Sequence, residues 1–70
     1  MELRIGANRV GGIWHGYVEG RPVPDDELRA LTEDIAIEKA KRAAHRIAEK
    51  EGFNGILKIV RIRPGSAAPA

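Results

Sequence analysis

Between residues 33 and 51 the chain sets alanine at 36, 40, 43, 44 and 48 among glutamates, lysines and arginines. Ala36, Ala40, Ala43, Ala44 and Ile47 recur at the 3.6-residue period and form one stripe, with Ile37 and Ala48 on its flank. This predicts one long amphipathic helix. Thr32 suits its N-cap, Glu33 and Asp34 complement the positive end of its dipole, and Gly52 is a C′ stop with Lys50 in the last turn. Alanine side chains are short, so such a helix lies close to whatever it covers.

The segments around the helix read as strands. Leu3 and Ile5 alternate with Glu2 and Arg4, a half-buried pattern. The stretch from Gly6 to Gly12 contains three glycines and is expected to be a turn. Ile13 to Val18 is rich in β-branched and aromatic residues, with faces Ile13/His15/Tyr17 and Trp14/Gly16/Val18. Gly20, Pro22 and Pro24 end that strand, since proline cannot donate to a ladder. Pro24 to Glu27 starts a short helical turn, after which Leu28 and Leu31 face inward. Phe53 follows the helix stop and plugs the core, and Asn54-Gly55 is a tight connection. Residues 56–63 read as a third strand with a buried centre and a basic end. The expected fold is α+β: a three-stranded antiparallel sheet of order 2-1-3 (ββαβ), with the helix on one face and residues 64–70 as a flexible C-terminal tail after a single 1–63 domain. The other sheet face then lies open, with Trp14 or Tyr17 on it.

Seventy residues without cysteine have neither a disulfide nor a thiolate metal site to staple them. A chain of this kind gains stability by self-association or by docking on a partner, so a homodimer and a docked partner are both candidates. The absence of cysteine, of a signal peptide and of an apolar run near ~20 residues fits a cytoplasmic protein that does not enter membrane.

Charge divides the chain. Residues 19–38 carry seven acids and two bases, whereas residues 39–63 carry eight bases and two acids. Such asymmetry points to an anionic partner for the basic half. Lys39, Arg42, Arg46 and Lys50 recur at spacings of three, four and four and form a ridge along the helix. Arg61 and Arg63 add charge on the last strand, and Arg9 lies on the first loop, where an arginine reaches a phosphate. The competing reading is a solvated helix back whose charges only serve the dipole.

Catalytic groups are scarce. Thr32, Ser66 and Tyr17 are the hydroxyl residues, and no base stands beside any of them at a recognisable spacing. His15 and His45 show no metal-ligand spacing, and His45 with Glu49 reads as an exposed i,i+4 pair. The Gly6–Gly12 stretch lacks the Gly-Lys-Ser/Thr ending of a nucleotide loop. No enzymatic activity, metal or cofactor is expected.

Two resemblances attach to these residues. The layout of Ile13-Trp14-His15-Gly16-Tyr17-Val18, Thr32, the alanine-rich helix and the closing Ile56-Leu57-Lys58-Ile59 strand resembles small ββαβ proteins of bacteria and phages, and is similar to the arm-type DNA-binding domains of phage integrases. The segment Ala44 to Glu51, followed by Phe53 and Gly55, resembles the helix-to-strand segment of some phage anti-CRISPR proteins. That second resemblance implies a protein that docks on a subunit of a CRISPR effector complex. The expectation from the residues is a non-enzymatic module that binds nucleic acid or a nucleoprotein complex through the basic ridge. The alternative is a protein-interaction module, such as an anti-CRISPR inhibitor, that uses the sheet face around Trp14, His15 and Tyr17.

Overall fold

Two consecutive glycines with φ of 60° and 81°, Gly11 and Gly12, turn the chain between its first two strands. Positive φ at both central residues is what a two-residue hairpin of matching twist requires. The turn therefore occupies Gly11-Gly12 alone, and β1 (Glu2–Val10) runs on through the stretch that its glycine content predicts to be a loop. It pairs antiparallel with β2 (Ile13–Val18), with Ile5 opposite Val18 and Val10 opposite Ile13. The computed structural model describes residues 1–62. Arg63 and the proposed tail at 64–70 lie outside the described residues.

The helix forms as its sequence predicts. α1 (Glu33–Lys50) is capped by Thr32, whose Oγ1 accepts from the Ile35 N–H at 3.3 Å. At its other end Gly52 takes φ 71°, its N–H donates to the Glu49 carbonyl, and the Phe53 N–H donates to the Ala48 carbonyl. These are the paired bonds of a Schellman stop, which satisfy the last carbonyls of the helix.

The sheet differs from expectation. It has four strands in the order β3-β2-β1-β4 and is mixed, because β1 pairs parallel with β4 (Lys58–Arg61). The cause is β3 (Arg29–Ala30), a two-residue strand that pairs antiparallel with β2 through Trp14–Ala30 and His15–Arg29. This one extra reversal of direction before the helix makes the strand after it arrive parallel to β1. Two residues are too few for periodicity to reveal a strand. The neighbours expected for β1, namely β2 and the last strand, are the ones it has.

Leu3, Ile5, Ala7, Val18 and Leu28 meet Ala36, Ile37, Ala40, Ala43 and Ala44 in one core. The helix approaches closely at Gly16, where an added Cβ would stand 2.8 Å from the Ala36 carbonyl oxygen. Three expectations about this core fail. Leu31 is 76% exposed, because the chain turns from β3 into α1 there. Residues 56–57 precede the strand, and Ile59 and Val60 are only half-buried, because β4 is an edge strand with a helix on one side alone. Phe53 is half-buried and folds over Gly55 instead of entering the core.

Candidate nucleic-acid interface

On α1 the alanine stripe fixes where the charges go. Lys39, Arg42, Arg46 and Lys50 run along the shoulder of the helix that borders β3, and not along its outer back. At 1.5 Å per residue they span about 16 Å. Two of them reach down to the chain beside them. Lys39 Nζ donates to the Arg29 carbonyl at 2.8 Å, and Arg46 Nη2 lies 3.0 Å from Glu27 Oε1. Arg42 and Lys50 are exposed and make no ion pair among the described residues. The ridge thus keeps its charge while being partly held in place.

The loop beneath the ridge is pinned to the helix at two points. Glu27 pairs with Arg46, and Glu51 faces the Arg21 guanidinium with both oxygens at 3.1 Å. Between them Pro22, Val23 and Pro24 stand off from Ala43, Ile47 and Lys50, leaving an open groove of about 500 Å³ beside the ridge. Its floor is apolar and its rim carries Arg46 and Lys50 against Glu27 and Glu49. Exposed pairs such as these contribute at most about 1 kcal/mol each, so their effect is on position more than on stability.

The other basic residues do not join the ridge. Arg61 lies on the helix side of β4 and pairs with Glu33 at 3.2 Å. Arg9 is exposed near the hairpin tip, in register with Trp14. One cation that sequence reading left out is Arg29, exposed on edge strand β3: its carbonyl receives Lys39, while its side chain, in register with His15, shares the open face of the sheet. No sequence rule would have found it, since its position depends on β3.

The aromatic candidates separate onto opposite faces. Trp14 turns to the helix side and packs against the core. His15 and Tyr17 lie on the open face. His15 Nδ1 is 2.7 Å from Asp25 Oδ1, which ties the 3₁₀ turn at Asp25–Glu27 to β2. The Tyr17 ring lies across Gly6, where an added Cβ would stand 2.6 Å from its Cζ. Burial raises the Tyr17 phenol above its ordinary pKa, and the nearby Glu19 carboxylate raises it further. His45 and Glu49 are both exposed.

Among the described residues no three His, Cys, Asp or Glu side chains gather into a metal-binding group. No helix there is long and apolar enough to cross a membrane. Comparison with protein-family models, curated proteins and solved structures finds no match to this chain.

Proposed function

We propose that this chain is a non-enzymatic binding module that docks on nucleic acid, alone or in a nucleoprotein complex, along the shoulder of α1. The observation that carries this reading is the line of Lys39, Arg42, Arg46 and Lys50, of which only Arg46 makes an ion pair among the described residues. Phosphate contacts of this kind position a protein on a strand without reading its sequence. The groove floored by Val23 and Ile47 offers apolar contact to a sugar or base beside the cations. Arg61 stands apart from this line, on the helix side of β4 beside Glu33.

The test is fluorescence anisotropy of labelled single- and double-stranded DNA and RNA at two salt concentrations. Binding is expected to weaken steeply with salt, as counterion release requires. Reversing Arg42 and Lys50 together to glutamate is expected to weaken binding at least about tenfold. These two positions are chosen because neither supports the fold through a partner. Unchanged affinity in the double variant removes the ridge from the reading.

A further inference from the structure

The sheet has a helix on one side only. On its other side Ile13, Tyr17, Val60 and Ile62 are half-buried, Val10 is 64% exposed, and no element among the described residues lies over them. We infer that a second copy of this chain covers that face, giving a dimer with the two sheets face to face and the helices outside.

Three observations identify the occupant. First, the face is electrically balanced: its cations Arg4, Arg29 and Lys58 are matched by Glu2, Glu19 and Asp25, and Arg4 already lies within 3.6 Å of both Glu2 and Glu19. A polyanion gains little there, whereas a neutral face meets its own copy without net repulsion. Second, the area suffices. The molecule is a slab of 37 × 30 × 18 Å, and its broad side holds the roughly 800 Å² per partner that a stable interface buries. Third, a single copy has a thin core. Among the described residues six of the eleven buried apolar ones are alanine, which contribute little burial each. Stacking two sheets face to face adds an apolar layer about 10 Å thick at no cost in further chain.

The edges of the sheet are poor alternatives for self-association. At β3 the outward carbonyl of Arg29 is taken by Lys39. β4 is four residues long with Lys58 and Arg61 at its ends, the short charged form that keeps an edge from pairing.

The experiment is sedimentation equilibrium of the full chain at micromolar and near-millimolar concentration, at low and high salt. The expected mass is twice the 7.7 kDa of the chain, and it holds at high salt because the face carries no net charge and its centre is apolar. Val60→Lys is expected to give a monomer with unchanged helical circular dichroism. Val10→Asp, at a position exposed enough to leave the fold intact, is expected to shift the equilibrium the same way. Wild-type protein at monomer mass at every concentration overturns the inference, and leaves the face to a different protein. A dimer that survives both substitutions overturns it too, by placing the interface elsewhere. Neither readout involves the ridge on α1, so failure here leaves the nucleic-acid reading standing.

Discussion

Tyr17 shows what one side chain does on an uncovered sheet. Its ring occupies the space over Gly6 that a side chain would otherwise fill, so the aromatic covers backbone that glycine leaves bare. That partial burial favours the neutral phenol, and Glu19 favours it further. The linkage follows in sign. The folded state holds the phenolic proton more tightly than the unfolded chain, so this contribution is whole below the ordinary tyrosine pKa of 10.0 and is lost as pH rises through the higher folded value. Denaturant titrations from neutral to strongly alkaline pH are expected to show wild-type stability falling faster than that of Tyr17→Phe. Because the chain has one tyrosine, tyrosinate absorbance reports the same group directly. Equal alkaline slopes in the two proteins would show that the phenol gains nothing from its place on the sheet. Residue faces were legible here: alternation separated Ile13/His15/Tyr17 from Trp14/Gly16/Val18. Which face receives the helix was not: Trp14 and Tyr17 were alternatives for the open side, and the fold gives it to Tyr17 while Trp14 packs against the core.

At the scale of elements, α1 was readable from cap to stop because each of its signals is local. The stripe, Thr32 and Gly52 act within a few residues of one another. The strands were less so. Glycines at 6, 11 and 12 look alike in sequence, yet only the latter two take positive φ, while Gly6 lies in a strand under a ring. β3 was invisible because its pairing with β2 is fixed by tertiary contact, including the Gly16 N–H donated to the Leu28 carbonyl at 3.0 Å. The same spot sets how close helix and sheet approach. A methyl on Gly16 would meet two backbone oxygens, at 2.8 Å from Ala36 and 3.1 Å from Leu28, and backbone cannot swing aside as a side chain can. Gly16→Ala is therefore expected to destabilise the fold by about 1–3 kcal/mol. Gly6→Ala meets the movable Tyr17 ring and a single backbone oxygen, that of Ile62 at 3.0 Å beside edge strand β4, and is expected to cost less. Urea unfolding of the two variants checks the order, and a Gly16→Ala midpoint at or above that of Gly6→Ala contradicts it.

For the whole molecule the two surfaces lie on opposite sides of the slab, the ridge on α1 and the apolar sheet face behind it. The charge asymmetry of the sequence located the ridge but overstated its extent. Arg61 was counted with it, yet it stands on β4 beside Glu33, a contact between residues 28 apart that no spacing rule reveals. Put together, the two proposals make a bivalent particle with one ridge on each outer side. Bivalence predicts a length dependence that neither surface gives alone. A short oligonucleotide reaches one ridge, and Val60→Lys is expected to bind it as the wild type does. A strand long enough to pass round the particle engages both ridges, and the second contact is then intramolecular. For such strands the Val60→Lys monomer is expected to bind more weakly by a factor of roughly 10². Titrating both proteins with short and long labelled strands separates the cases. An equal loss on both lengths would mean that position 60 itself touches the ligand, and that the sheet face rather than the helix shoulder receives it. No loss on either would mean that the ridges act singly, whatever the mass of the particle.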